Sequence, residues 1–422
     1  MTAKPQQAIA PSQPWLLALA LSLPVILLPN AHLFSLSFGV LAILGVFMLI
    51  GLLRHRNTYN GDDKALQVLP RCFLFIWFPM LISCIDASAT EQALKVTGLY
   101  LSYGLAALAV AVLLRAQAAF KQVAILLSII IGIWAFNGVA QVALGIDMLN
   151  KPLVDPEGYA NSFFATSQQY GFYLGALAAI PLYTLYLMGT NRLSHLLVTI
   201  LLIVAVFFGR ARSGWIMFAV ALLPYFYLLY IKPAKRKIIP LIVIPIFFGG
   251  VVMAIVSFSQ LVQQQVTHTQ NAVSGDYEQF NNMTHNYPEL WKDTIEIAEQ
   301  HWVNGVGVDN FLPAFMPYLA PNAPVPTHID VSHPHHVWLE VAVSAGVIGL
   351  LGLLLAYAAM WRLWCSATPA QQKLALPMLM PLLVLWWPVN ASHAFYSAPL
   401  AALSLFFLAF SVAALTYRGD VK

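Results

Sequence analysis

The sequence predicts an all-α polytopic membrane protein of about twelve transmembrane helices, with one large outward-facing loop that itself contains helices. Three observations carry this expectation. Hydrophobic residues make up 60% of the 422 positions and charged residues only 9%, a balance that excludes a soluble globular chain. Apolar runs of about 20 residues, the length that crosses a hydrocarbon core of about 30 Å, recur along the chain. Lysine and arginine are dense in alternate connections, as they are when loops lie on opposite sides of a bilayer.

The runs lie near 14–30, 34–53, 72–88, 93–114, 122–145, 169–188, 194–209, 213–231, 238–258, 336–360, 374–389 and 394–416. The first follows a short polar leader containing Lys4 and lacks a small-residue cleavage site, so it reads as a retained helix rather than a removed signal peptide. Sixteen of the 21 cationic residues, including Arg54, Lys121, Arg192, Lys235 and Lys422, then share the side of both termini, which is read as cytoplasmic. Fourteen of 17 acidic residues and nine of eleven histidines fall on the other side. The organisation expected is 1–258 for helices one to nine, 259–335 for the outer loop with an amphipathic helix near 288–302, and 336–422 for helices ten to twelve.

The remaining features narrow the function classes. Cys72, Cys84 and Cys365 sit in or beside apolar runs without paired spacing and read as core residues. The cluster Lys232, Lys235, Arg236 and Lys237 is an orientation signal that anionic lipid headgroups can reinforce, so membrane lipids are expected partners and nucleic acid is not. No repeat relates the two halves of the chain.

On the far side, the segment from Gly145 to about Ser167 offers turn residues, then a small polar cluster of Asn161, Ser162, Ser167, Gln168 and Gln169. It reads either as an interfacial cap or as a rim that contacts sugar or phosphate. Gly209-Arg210-Ala-Arg212-Ser213-Gly214 places two arginines where topology disfavours them. Guanidinium groups suit phosphate, and a helix start beside them adds backbone amides, so an anion site is favoured over snorkelling. Pro288 to Trp302 has helical periodicity and should rest on the membrane domain through Trp291, Ile295, Ala298 and Trp302. Gly305 and Gly307 then make a tight turn. His333-Pro-His335-His336 closes the loop at the door of a long apolar helix, and imidazoles at that boundary are the candidate reacting centre.

His335-His336-Val-Trp-Leu339, six residues, Gly346, two residues and Gly349 resemble the His-Asn-x-x-Leu-x6-Gly-x-x-Gly signature of the bacterial O-antigen ligase and polymerase superfamily, which includes protein O-oligosaccharyltransferases. Arg212-Ser-Gly and the stretch from Trp291 to Gly307 are similar to two further family features, and the likeness extends from about Asp155 to Leu355. The resemblance implies transfer of a glycan from an undecaprenyl-pyrophosphate carrier to an acceptor hydroxyl on the periplasmic side of a bacterial inner membrane, without metal or cofactor. By position, His335 would be the catalytic histidine and Arg212 would bind the donor pyrophosphate; Arg210 joins it on charge grounds. Two positions depart from the pattern. His336 replaces the asparagine, and Tyr287 stands where a loop arginine is usual, with His285 or Lys292 as possible substitutes.

In this reading His335 deprotonates the acceptor while the arginines stabilise the departing pyrophosphate. His333, His336 and Glu340 are support, with Glu340 placed to approach His336 more readily than His335. A metal site built from His328, His333, His335 and His336 is the competing chemistry, and a lipid-linked glycan transporter the competing non-enzyme function. Within the family, the short segment after the last apolar run favours an O-antigen ligase acting on lipid A-core over a polymerase or a protein O-oligosaccharyltransferase.

Overall fold

A computed structural model describes residues 14–54, 64–153, 155, 157–232, 287–318, 332–388 and 393–419. The apolar run expected near 238–258, the glutamine-rich stretch that follows it, His285 and His328 lie outside the described residues. Among those described there is no strand, only one antiparallel bridge between Ile146 and Pro152.

The chain forms α1 (Pro14–Ile26), α2 (Ala31–Arg54), α3 (Lys64–Ser83), α4 (Thr90–Gln117), α5 (Phe120–Leu144), α6 (Ser167–Leu177), α7 (Ala179–Met188), α8 (Arg192–Phe207) and α9 (Arg212–Phe226). After the undescribed segment come α10 (Tyr287–Gln300), α11 (Phe311–Phe315), α12 (Val337–Ser366), α13 (Pro369–Leu385) and α14 (Ala398–Leu415). Eight spans among these are long and apolar enough to cross a membrane, and α1 and α8 are shorter apolar helices. The chain is therefore an all-α multi-pass membrane protein.

Sequence chemistry explains several boundaries. Thr368 caps α13 through a capping box with Gln371, followed by Pro369 at the first helical position. Thr166 and Asn191 accept backbone N–H groups at the starts of α6 and α8. α6 and α7 are one apolar span broken at Ala178, where Pro181 cannot donate to the carbonyl of Leu177. α3 differs from expectation, running over Lys64–Ser83 instead of 72–88. Hydropathy discounts its charged first two turns, while Asp86 and Ser88 belong to the turn that follows.

α14 is buried along its whole length, as a helix apolar on every face must be when it lies at the centre. It packs on α4 and α13, α13 packs on α7, and α2 covers α4. α6 and α9 approach closely: a Cβ at Gly175 would lie 2.3 Å from the Gly214 carbonyl oxygen. Small residues here let the two backbones meet, which fixes the start of α9 against α6.

The decisive local feature is a break in α12 at Gly346, where φ is 63° and ψ is −160°. In an unbroken helix the carbonyls of Val343 and Ser344 would accept from Val347 and Ile348. Here they accept instead from Val306 at 2.8 Å and Gly307 at 3.1 Å. The freed amides of Val347 and Ile348 donate to Trp302 at 2.8 Å and Val303 at 3.3 Å. Four groups orphaned by the break are thus satisfied by the segment 302–307, so the glycine turn is stitched into the helix. The turn is also tied to the α3–α4 connection, through Asn310, whose Oδ1 accepts from Ala89 N–H at 2.6 Å, and Asn304, which donates to Asp86 at 2.8 Å.

The buried face of α10 differs from the one expected. Leu290, Thr294 and Ile297 are buried, whereas Ile295 and Trp302 are 45% and 64% exposed. Thr294 is polar and escapes an apolar count, but its hydroxyl donates to the Leu290 carbonyl at 2.6 Å, which lets it enter the core. The stripe is therefore turned by one residue, and Trp291 is left at its edge.

Gly346→Ala is expected to lower the melting temperature of the detergent-solubilised protein. A Cβ there would fall 2.3 Å from the Val303 carbonyl, in a backbone region whose occupation by other residues costs about 1–3 kcal/mol. Gly132→Ala, which meets nothing within 4 Å, should leave it unchanged; equal melting of the two variants would refute the stitching.

Candidate active site

The first turn of α10 grips the histidine run. The indole Nε1–H of Trp291 donates to the carbonyl of Pro334 at 2.8 Å, and the same ring meets His336 edge-on at 5.6 Å. One turn earlier, Tyr287 stacks on His335 with ring centroids 4.7 Å apart. His333 also lies against that imidazole, at 4.0 Å, and shares a hydrogen bond of 3.0 Å with Ser332. His333 and His335 are both buried. His335 has φ of 56°, a left-handed conformation uncommon for a residue with a side chain, and two neighbouring rings pack against it.

His336 has a different task. It is the N-cap of α12, with extended backbone, and its Nδ1 accepts the Leu339 N–H at 3.3 Å. That is the service an asparagine oxygen gives at a helix start, so the replacement of asparagine by His336 preserves the cap. Accepting at Nδ1 places the ring proton on Nε2. Burial pushes the pKa of His336 below the usual histidine value, against a smaller upward pull from a backbone hydrogen bond.

Glu340 does not pair with an imidazole. Its buried carboxylate accepts the backbone N–H groups of Phe395 at 2.8 Å and Tyr396 at 3.1 Å. Tyr100 holds the same segment by donating to the Phe395 carbonyl at 3.0 Å. Two residues before Phe395 is His393, whose Nε2 lies 3.1 Å from the Tyr173 hydroxyl and whose ring stacks on Phe172 at 4.5 Å. His393 is a site-region residue that the sequence does not single out; a lone histidine before the last helix carries no motif.

The arginines sit beyond α6. Arg212 is the first residue of α9 and is half-buried, and Ala211 at the N-cap supplies no side-chain acceptor to the first-turn amides. Arg210 is 44% exposed and its guanidinium donates to Glu157 at 2.7 Å, with Asp155 at 4.0 Å. The polar residues of the preceding segment are mostly engaged with one another. Gln141 of α5 bonds Asn161 and Ser162, Asn137 bonds Ser162, and Ser167 donates to Asp155. That usage matches an interfacial cap more than a ligand rim.

The structure therefore brings His333, His335 and Tyr287 into contact, with His336 held beside them by Trp291, and puts Glu340 of the next turn on another duty. Lys292 is exposed on α10. Arg212 is joined to the histidines through intermediaries: α9 packs on α6, Tyr173 of α6 meets His393, and the residues after His393 are bonded to Glu340 of α12. Base and cation candidates thus occupy the same end of the bundle.

His336→Asn is expected to melt like the parent protein, and His336→Leu to lose about 1 kcal/mol with the cap. The parent should also show a pH dependence that the asparagine variant lacks. Because burial lowers the folded-state pKa of His336, its cap is fully stabilising above the ordinary histidine value of 6.5 and is lost as pH falls from there toward the lowered value. Melting curves collected between neutral and mildly acidic pH check both statements, and parallel pH profiles for the two proteins would contradict them.

No curated protein matches the chain. Residues 197–354 match the family model described as O-antigen ligase, a segment that contains Arg210, Arg212, α10, the glycine turn and the histidines. This match supports placing the chain in the O-antigen ligase and polymerase superfamily.

Proposed function

We propose that the protein is an O-antigen ligase, transferring an undecaprenyl-pyrophosphate-linked glycan to a hydroxyl of lipid A-core at the periplasmic face of the bacterial inner membrane. The family match supports the coarser reading, glycosyl transfer of the ligase or polymerase type. The observation that carries the assignment of roles is the division of labour within the histidine run. His336 is engaged as a cap at Nδ1, whereas His335 is held by Tyr287 and His333 just ahead of α12.

In the reaction, the acceptor hydroxyl loses its proton to the His335 imidazole as its oxygen bonds the anomeric carbon. The bond from that carbon to the pyrophosphate breaks, and undecaprenyl pyrophosphate leaves. Arg212, beside the amides that open α9, stabilises the charge that develops on the leaving group. Arg210 joins it by exchanging Glu157 for phosphate, a small loss because an exposed ion pair contributes only about 0–1 kcal/mol. The distribution of lysine and arginine supports cytoplasmic termini and a periplasmic site.

The test is transfer by the purified protein in liposomes, from undecaprenyl-pyrophosphate-linked glycan to lipid A-core, to a second donor molecule or to a hydroxyl-bearing peptide. Product on lipid A-core is expected; product on either other acceptor would make the protein a polymerase or a protein O-oligosaccharyltransferase. His335→Ala should lower kcat by about 100-fold or more, and Arg212→Ala should raise the KM for the donor. Full activity of His335→Ala would remove the assigned base. Movement of lipid-linked glycan across the vesicle without any transfer would favour the transporter.

A further inference from the structure

A second feature lies at the far end of α10 from His335. It is an open cavity of about 410 Å³, built where the last turns of α10 meet the α3–α4 connection and the residues after α11. Its volume falls in the range of small-ligand pockets, about 300–1,000 Å³. Ile297 and Val306, both buried, form an apolar floor. The walls carry the carboxylates of Asp86 and Glu296, the amide of Gln300 and the phenol of Tyr318. These walls are braced. Asp86 accepts from Asn304 at 2.8 Å, Gln300 donates to Tyr318 at 3.0 Å, and Val306 is hydrogen-bonded into the α12 break.

The chemistry of the lining selects among ligands. Two carboxylates, against one imidazole, His301, and neither lysine nor arginine among the lining residues, disfavour phosphate or another anion. Among the described residues no three histidine, cysteine, aspartate or glutamate side chains are grouped to hold a metal ion. Carboxylate and amide oxygens around an apolar floor instead match a pyranose, which offers hydroxyl donors at its edge and C–H groups on its face. From Tyr287, which touches His335, to Gln300 is thirteen residues, or about 20 Å of helix.

We propose that this cavity is a saccharide subsite that holds neutral or amino sugars of a substrate glycan several units from the linkage that reacts. The inference rests on the glycosyl-transfer reading. It assigns to α10 two ends with separate tasks, the first turn holding the base and the last turns holding the glycan chain. The sugars belong either to the donor glycan or to the lipid A-core, and the two sources are separated by which KM responds.

The experiment compares the full-length protein with Glu296→Ala/Gln300→Ala and with Ala314→Phe, which fills the cavity from α11. Binding is read with end-labelled glycan released from its carrier by mild acid, and with core oligosaccharide, using His335→Ala as a binding control that does not depend on turnover. Both cavity variants should weaken binding of one of these probes by about tenfold, while His335→Ala binds as the parent does. In the transfer assay they should raise the KM for the corresponding substrate without changing kcat, and a donor trimmed to its first sugar should be unaffected if the donor glycan is the occupant. Unchanged binding of both probes in both variants would overturn the subsite, as would an equal KM shift for full-length and trimmed donors. Glycan binding that depends on Glu296 and Gln300 in a protein that transfers nothing would keep the subsite and reject the proposed function.

Discussion

The structure depends on one exchange of backbone hydrogen bonds. When α12 breaks at Gly346, two carbonyls and two amides lose their partners, and segment 302–307 supplies all four replacements. Groups left unpaired at a membrane boundary are too costly to persist, so the break and the turn require each other. The glycine turn then fixes the end of α10, and the start of α10 fixes the histidines through Trp291 and Tyr287. A helix outside the bundle is in this way held rigidly enough to set the position of an imidazole.

Polar groups around the site follow the same pattern of mutual satisfaction. Four residues that could be read as chemistry form three structural anchors when their partners are known: His336 caps a helix, Glu340 pins the segment before α14, and Asn161 with Ser162 ties a connection to α5. The roles proposed for His335 and Arg212, base and cation, do not draw on these three anchoring interactions. The contact of Tyr287 with His335 also gives a physical meaning to the residue that stands where the family's loop arginine is expected. It contributes a stacked ring in place of a charge.

Much of the fold was legible because hydropathy and charge act over whole helices, so the apolar runs located the spans even where α3 is shifted. The two arginines before α9 and the histidine run stood out because only 9% of the chain is charged and three of its eleven histidines fall within four positions. What was hidden depends on partners distant in sequence. The bond from Phe395 to Glu340 spans 55 residues, and no periodicity announces it. The break at Gly346 is a matter of φ and ψ, and the burial of Thr294 depends on a hydroxyl bonding its own helix. His393 acquires its neighbours only when α6 and the segment before α14 come together.

Arg212 and His335, in the proposed reaction, act on one donor from the same end of the bundle. A cryo-electron-microscopy structure with bound undecaprenyl pyrophosphate tests this most directly. The diphosphate is predicted to lie at the Arg212 end of α9, with its free phosphate directed toward His335. A diphosphate seated on the basic residues at the opposite end of the helices, or out of line with His335, would contradict it.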